Sequence, residues 1–319
     1  MKKTPIFTIL TALSATIPLG CGDSSSNDVP FIDDSARFVE TPSPAVAEKA
    51  PETQTLEEKA PEIPPTFAQL LERGATTDKS GKSLDLTAVE NLDGFAVDAE
   101  SWNVVKVVRG KGILTVHSLR AFAKLPNLTE FLWSDAVLAA ETDADAAFAE
   151  FAKSPNLKKI RLTGLKTESN KFPTAAFAAL AQTPQLADVD VSGSPATAAD
   201  LAAVDWKNGF AKLTKLNLYQ TKVGDAGVDA LLPLANRLTS LNLDDAQIGP
   251  DSAAKIAQFA ELTFLHVGRS TLDDASIAEF AKLGKLTKIH VTRSKATEAG
   301  ADALRAALPN CEVVSQPEN

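Results

Sequence analysis

The sequence LTKLNLYQTKV at residues 213–223 recurs as LTSLNLDDAQI at 238–248, LTFLHVGRSTL at 262–272 and LTKIHVTRSKA at 286–296. The four copies begin 25, 24 and 24 residues apart. A fixed period in the twenties indicates one supersecondary unit per copy. Because so small a unit cannot bury its apolar face alone, the chain is predicted to form a solenoid of stacked repeats.

Each copy begins with a short strand. Counting the first Leu as place one, Leu216 and Leu218 stand at places four and six, and Lys215, Asn217 and Tyr219 at places three, five and seven. Successive side chains of a strand point to opposite faces of the sheet. The alternation therefore predicts one buried face and one exposed face.

Each strand is followed by the start signals of a short helix. Place twelve holds a residue suited to a helix N-cap, namely Gly224, Gly249, Asp273 or Thr297. Place thirteen suits a first helical turn, with Asp225, Pro250, Asp274 or Glu298. Apolar pairs three residues apart then follow, such as Val228 with Leu231. We expect parallel strands on a concave side and helices on a convex side.

Weaker copies precede these four and set the predicted boundaries. They begin at Trp102, Leu128, Leu157 and Leu186. The repeats are therefore predicted to fill residues 101–310. A solenoid needs atypical end units to cover its core, so residues 65–100 are predicted as the N-terminal cap and residues 311–319 as a final strand and tail. Cys311 is expected at the next place one, as a buried residue, and Trp133 in the interior.

The pattern L-T-x-L-x-L-x-x-T-x-[VI]-x-[DP]-x-[GA] over residues 102–315 resembles bacterial leucine-rich repeat proteins of the ribonuclease-inhibitor-like group, and most of all planctomycete-type secreted versions. The resemblance implies an α/β leucine-rich repeat solenoid shaped as a curved horseshoe. It also implies protein or ligand binding without enzyme activity or a cofactor. Place nine departs from the wider superfamily, which often has Asn or Cys there; this chain has Thr221, Ala246, Ser270 and Ser294. A hydroxyl there can bond the backbone, but no asparagine ladder is expected.

Residues 1–20 resemble a secretory signal peptide, with Lys2 and Lys3 before an apolar stretch. Gly20 followed by Cys21 resembles a bacterial lipobox, although Pro18 and Leu19 are atypical of that motif. We expect Cys21 to be the first mature residue and to carry a lipid that anchors the protein to a bacterial membrane, on its periplasmic or cell-surface side. The alternative is an ordinary signal peptide that is cleaved nearby.

Residues 21–64 are rich in Ser, Pro, Ala, Glu and Asp and are predicted to be a disordered, acidic tether. Residues 22–64 contain ten acidic and three basic residues, in a chain of net charge −9. The predicted folded region has no basic stripe, which argues against nucleic acid as a partner.

Candidate binding residues gather on the predicted concave face, where side chains are not needed for packing. His266 and His290 occupy place five of adjacent strands, which lie about 4.8 Å apart in a sheet. The mixture of aromatic and Arg residues around them is typical of binding hot spots. The predicted partner-binding patch contains Tyr219, Asp244, Phe264, His266, Arg269, Lys288, His290 and Arg293.

Two other interpretations of this face stay open. The residues can be ordinary solvated positions of a sheet. Alternatively, His266 and His290 can bind a metal with Asp244 as third ligand, although two imidazoles fall short of the three or four ligands that zinc needs. Gly110 and Gly112 are interpreted as a turn after a strand, since no Lys-Ser/Thr pair follows them as in a phosphate loop.

No catalytic constellation was found in the sequence. We therefore expect a non-enzymatic scaffold displayed on the bacterial cell envelope, which binds a protein partner there through the concave face. The alternatives are binding of a cell-surface glycan or other polymer, a passive structural spacer and, least favoured, a metal-dependent enzyme.

Overall fold

The computed structural model of the protein describes residues 67–90, 92, 102–139 and 143–315. The predicted signal peptide at 1–20, the lipidated Cys21 and the acidic tether at 21–64 lie outside these residues, as do parts of the predicted N-terminal cap and of the tail.

Strands and short helices alternate along the described chain. The strands are β1 (Thr76–Thr77), β2 (Ser83–Asp85), β3 (Val107–Leu114), β4 (Glu130–Leu138), β5 (Lys159–Leu162), β6 (Lys166–Thr167), β7 (Asp188–Asp190), β8 (Lys215–Asn217), β9 (Ser240–Asn242), β10 (Phe264–His266), β11 (Lys288–His290) and β12 (Glu312–Val314). The α-helices are α1 (Phe67–Glu72), α2 (Val116–Ala123), α3 (Ala144–Phe151), α4 (Thr174–Leu180), α5 (Ala198–Ala202), α6 (Gly224–Leu231), α7 (Pro250–Ile256), α8 (Asp274–Ala278) and α9 (Glu298–Ala307). Short 3₁₀ helices follow α6 at Leu232–Leu234 and α8 at Glu279–Lys282.

The strands form one sheet in chain order from β1 to β12, with β6 paired to β4 beside that path. β1 and β2 are antiparallel, and every other strand pair in the described chain is parallel. The register matches repeat to repeat, with Leu216 opposite Leu241, Leu241 opposite Leu265 and Leu265 opposite Ile289. This topology confirms the prediction of a leucine-rich repeat solenoid.

The core lies between the sheet and the helices. Leu216 and Leu218 are buried, as are Val228 and Leu231 of α6, whereas Lys215 on the other face of the strand is exposed. Equivalent residues of neighbouring repeats are buried in the same way, which joins all repeats into one apolar core. At roughly 25 cal/mol per Å² of apolar surface removed from water, this burial is the main stabilising contribution.

The strand register corrects the two ends of the repeat array. Val107 pairs with Glu130, which places Val105 rather than Trp102 at place one of the first of these repeats. Lys288 pairs with Glu312, which places Asn310 rather than Cys311 at the next place one. Cys311 is accordingly half-buried instead of fully buried.

The predicted N-caps are observed in three of the four quoted repeats. Gly249, Asp273 and Thr297 precede α7, α8 and α9, and the side chains of Asp273 and Thr297 accept bonds from backbone N–H groups of the first turn. Gly224 differs: it is the first residue of α6, and Val223 takes the N-cap position. Gly224 has a φ of +57°, a conformation that favours glycine. This backbone conformation, and not a role as N-cap, explains why glycine occurs there.

Hydrogen bonds connect α6 and α8 to the next repeat. Asp225 of α6 accepts a bond from Gly249 N at 2.7 Å and another from the Ser252 hydroxyl. Asp274 of α8 accepts bonds from Thr297 N at 2.6 Å and from its hydroxyl at 2.8 Å. A place-thirteen carboxylate thus stabilises the helix start of the following repeat, which adds a directional contact to the non-directional core.

Gly110 and Gly112 lie within β3 and not in a turn after it, so that part of the prediction is wrong. A β-bulge occurs between Lys111 and Ile113, where Gly112 has a φ of +84°. The indole of Trp133 lies against Gly110 and donates a hydrogen bond to Gly112 O at 3.1 Å. A Cβ on Gly110 would stand 2.2 Å from the indole ring. Glycine is therefore needed for this close approach.

We expect Gly110→Ala to lower the free energy of unfolding by at least about 2 kcal/mol, because the new methyl group overpacks the core beside Trp133. Gly284→Ala is the matched control, since nothing lies within 4 Å of the Cβ position there. Urea titrations followed by circular dichroism compare the two variants. Equal midpoints for both would contradict the role assigned to Gly110.

Candidate functional site

The place-five side chains form one row across the exposed face of the sheet, as the repeat pattern predicts. The strand register aligns Arg161 with Asp190, then Asn217, Asn242, His266 and His290 in successive strands. The rings of His266 and His290 have centroids 4.6 Å apart. We call this alignment the place-five row.

The middle of the place-five row supports the backbone. Oδ1 of Asn217 accepts a hydrogen bond from Tyr219 N at 3.0 Å, and Oδ1 of Asn242 accepts one from Asp244 N at 3.0 Å. Oδ1 of Asp190 makes the same bond, to Ser192 N at 2.9 Å. These Asx-type bonds fix the chain as it leaves the strand. Asp or Asn at place five therefore has a local structural reason.

Imidazole replaces the Asx side chain in the last two positions of the row. The centre of the His290 ring lies 5.8 Å from that of Phe264 and 4.6 Å from that of His266, both on the neighbouring strand β10. Within the described residues, His266 Nε2 is buried without a hydrogen bond, 3.5 Å from Asp244 Oδ2. The imidazoles thus replace the backbone-supporting Asx side chains with an aromatic cluster at one end of the face.

Asp244 is a buried anchor and not a free surface group. It is 4 % exposed, and its carboxylate accepts two hydrogen bonds from the Arg269 guanidinium, one of them from Nε at 3.2 Å. The guanidinium also lies 5.0 Å from the centre of the Tyr219 ring, a cation–π arrangement. Gly268 leaves room for this ion pair, since a Cβ there would stand 2.9 Å from Asp244 Oδ1. Three predicted patch residues therefore hold one another in place.

Burial lowers the pKa of His266, and the charges of His290 and Arg269 lower it further, although the Asp244 carboxylate opposes them. The pKa of His290 is lowered by burial and by Lys288, against the opposing carboxylates of Glu312 and Asp244. Both imidazoles are therefore neutral at neutral pH.

Place eight has a left-handed backbone in seven successive repeats. Its φ lies between +45° and +71° at Asp135, Gly164, Gly193, Gln220, Asp245, Arg269 and Arg293. A residue with a Cβ pays about 1–2 kcal/mol for this conformation. Arg269 offsets the cost through Asp244. Arg293 is exposed, and no ion pair or hydrogen bond of its side chain is found among the described residues.

The other residues of the predicted patch differ in how far they are exposed to solvent. Phe264, Lys288 and His290 are half-buried on the exposed sheet face. The Lys288 ammonium lies 3.0 Å from Glu312 Oε1, which partly neutralises it. Arg293 is thus the patch cation whose charge is left for a ligand, whereas Arg269 acts as a positioning residue.

A groove on the same face extends beyond the predicted patch. It has a volume of about 200 Å³ and crosses the sheet from Arg161 to Phe264. Asp188 and Asp190 lie at one end, where Asp188 faces Lys159 at 3.7 Å and Asp190 faces Arg161 at 3.1 Å. Burial raises the pKa of Asp188, while Lys159 and Lys215 lower it. The places of these residues are visible in the sequence, but the concavity between them depends on how far each side chain folds onto the sheet.

Within the described ranges, no group of three or more His, Cys, Asp or Glu side chains is arranged to hold a metal ion. The suggested third ligand, Asp244, is occupied by Arg269. The described helices include none that is long and apolar enough to cross a membrane.

The pH dependence of stability tests the environment of His266. Because its folded-state pKa lies below the ordinary value of 6.5, the unfolded chain takes up the proton first as the pH falls. Stability is therefore full above about pH 6.5 and declines below it. We expect His266→Asn, which copies Asn242, to lose less stability than the wild type between pH 7.5 and pH 5. Urea midpoints at the two pH values measure this, and parallel losses would contradict the burial of the neutral imidazole.

Replacement of the two place-eight arginines by glycine separates their roles. We expect Arg293→Gly to leave the free energy of unfolding unchanged or to raise it by up to about 1 kcal/mol, because it relieves a left-handed residue. Arg269→Gly relieves the same strain but leaves the Asp244 carboxylate unpaired. It should therefore be destabilising by about 2 kcal/mol. Urea unfolding at neutral pH compares them, and a destabilised Arg293→Gly would show that Arg293 has a structural contact.

No family model matches the chain, and no curated protein matches it in sequence. Among solved structures, it is similar to internalin C2 from Listeria monocytogenes strain 4b F2365, with a TM-score of 0.47 and 17 % sequence identity over 74 % of this chain and 80 % of the other. The assignment of a leucine-rich repeat fold rests on the repeat, the parallel sheet and the shared register.

Proposed function

We propose that this protein is a non-enzymatic binding module that holds a protein partner on the exposed face of its sheet. The observation that carries the proposal is the aromatic cluster of Phe264, His266 and His290, together with the uncommitted Arg293 three residues after His290. Clustered aromatic rings with an adjacent Arg are the composition of binding hot spots. The Arg293 side chain makes no ion pair or hydrogen bond among the described residues.

The rest of the surroundings suit a partner site. The buried Asp244 holds the half-buried Arg269 in place beneath the cluster, so that little side-chain entropy is lost there when a ligand binds. The parallel sheet beneath holds the cluster in a fixed geometry. Since binding residues are most effective when rigid elements support them, this part of the face is favoured over the loops.

A glycan partner has less support. Carbohydrate sites commonly use open aromatic faces, but Trp102, Trp133 and Trp206 are all buried. The ring of Tyr219 is covered on one side by Arg269. This leaves Phe264 as the main aromatic residue for stacking on the face. A protein surface, which offers apolar side chains together with carboxylates, fits the cluster better.

The proposed location is the bacterial envelope, with the solenoid attached through a lipid on Cys21 and the acidic segment 21–64 as a spacer. This part of the proposal rests on the signal-like sequence and the Cys that follows it. Mass spectrometry of the membrane fraction tests it: a diacylglyceryl adduct on Cys21 is expected, and an unmodified Cys21 in the mature protein would overturn it.

Site-specific crosslinking tests the binding face. A photoreactive phenylalanine analogue at position 264 should crosslink a discrete envelope protein in cells, and adding Arg293→Ala should reduce the yield by about tenfold or more, as for a hot-spot residue. The matched control introduces the analogue at Val104 and Ala at Lys212, an exposed apolar residue and an exposed cation that lie outside the face.

Two results would contradict the proposed site. One is a crosslink from position 264 that Arg293→Ala leaves unchanged. The other is the same protein crosslinked equally from position 104, which would indicate contact without a defined face. Because Arg293→Ala removes no contact within the fold, loss of crosslinking cannot be assigned to unfolding.

A further inference from the structure

Hydrogen-bond donors of the protein face the groove beside the aromatic cluster. The amide oxygens of Asn217 and Asn242 accept bonds from the backbone N–H groups of Tyr219 and Asp244. A backbone N–H can bond only an acceptor, so the amide orientations are fixed. Both Nδ2 groups must then point away from those N–H groups, as donors.

These donors lack protein partners. Among the residues that the structure describes, neither Asn217 Nδ2 nor Asn242 Nδ2 donates a hydrogen bond, and Lys215 makes no ion pair. Lys215 and Ser240 are opposite each other in β8 and β9, as are the two asparagines. All four line the same groove. We call them the donor row.

The charge of the groove favours an anion at the donor row. Its two carboxylates are on β7, where Asp188 is opposite Lys215 and Asp190 is opposite Asn217. Both already have partners, Arg161 for Asp190 at 3.1 Å and Lys159 for Asp188 at 3.7 Å. Lys215 also acts on the charge of Asp188, so that Lys159, Arg161 and Lys215 together carry one positive charge more than the two carboxylates. A group that supplies only acceptors and carries a negative charge therefore complements the row, and a carboxylate is such a group.

Spacing identifies the kind of chain that would carry this carboxylate. The donor row spans β8 and β9, and Phe264 is on β10, directly opposite Ser240. With strands about 4.8 Å apart, the middle of the row lies about 7 Å from the column of Phe264. Residues i and i+2 of an extended peptide point the same way and are about 6.7 Å apart.

We propose that the donor row binds the carboxylate of an extended peptide segment of the partner, in which an acidic residue is followed two positions later by an apolar residue that packs on Phe264. The inference rests on the proposed function and adds the chemical class of the partner. It places the peptide across the strands, with its acidic end toward β8 and its apolar end toward β10.

The test uses NMR signals that do not depend on identifying the partner. The probe is a five-residue alanine peptide, acetylated and amidated, with glutamate second and leucine fourth; its control has glutamine in place of glutamate. We expect the side-chain NH₂ signals of Asn217 and Asn242 to shift on titration with the glutamate peptide, with at least fivefold weaker binding of the glutamine peptide. A peptide with glutamine and a free C-terminal carboxylate shows whether a chain end serves as well as a side chain.

Two variants of the protein provide controls. Asn217→Asp with Asn242→Asp exchanges the outward donors for acceptors but keeps the bond to the backbone, which Asp190 already makes at the same place. Binding of the glutamate peptide should be lost. Lys215→Gln changes one exposed residue whose side chain makes no ion pair or hydrogen bond among the described residues, and it should weaken binding by about threefold or more.

Equal binding of the glutamate and glutamine peptides, or no shift of either amide signal at millimolar peptide, would overturn the inference. If an oligomer of uronic acid shifts these signals more strongly than the peptide does, the proposed ligand is wrong and an acidic glycan is the better assignment. Crosslinking from position 264 is a separate measurement. If the crosslink still forms and still depends on Arg293 while neither peptide binds, the proposed binding face is supported and only the carboxylate assignment is wrong.

Discussion

The burial of one strand face and one helix stripe against the next repeat is the constraint on which the rest of the structure depends. A unit of about 25 residues has no interior of its own, so Leu216 and Val228 lose water only when neighbouring repeats cover them. The register of the sheet follows, because a slip by one residue would turn each buried Leu to the solvent. The place-five row is therefore a consequence of core burial.

Directional contacts refine this stacking. Asp225 and Asp274 bond the helix starts of the following repeats, and the hydroxyls of Thr221, Ser270 and Ser294 donate to the carbonyl groups three residues earlier at 2.7–2.8 Å. The second set confirms that a hydroxyl at place nine can bond the turn. Three of the four quoted repeats thus make a local bond at place nine, and the fourth has Ala246 there.

The candidate site consists of side chains that core burial does not constrain. The exposed face needs nothing from its side chains except the Asx bonds of Asp190, Asn217 and Asn242. The imidazoles at the next two positions, and an Arg at a left-handed residue, have no such reason. A residue that departs from its local structural preference without a compensating contact points to selection for binding. The binding face is proposed on this basis, whereas the donor row is proposed because the amide groups of Asn217 and Asn242 that are not used in the Asx bonds are donors.

The sequence by itself determined the repeat, the α/β solenoid, the parallel sheet, the side-by-side placement of His266 and His290, and three of the four quoted N-caps. It could do so because periodicity reports directly which residues share a face. Only the tertiary structure decided that Asp244 is buried, that Arg269 is bound to it, that Gly268 leaves space for the pair, and that the repeats align on Val105 and Asn310 at the ends of the array. Those outcomes depend on how side chains of different repeats fold onto one another across 24 or more residues, and a pattern within one repeat carries no information about that.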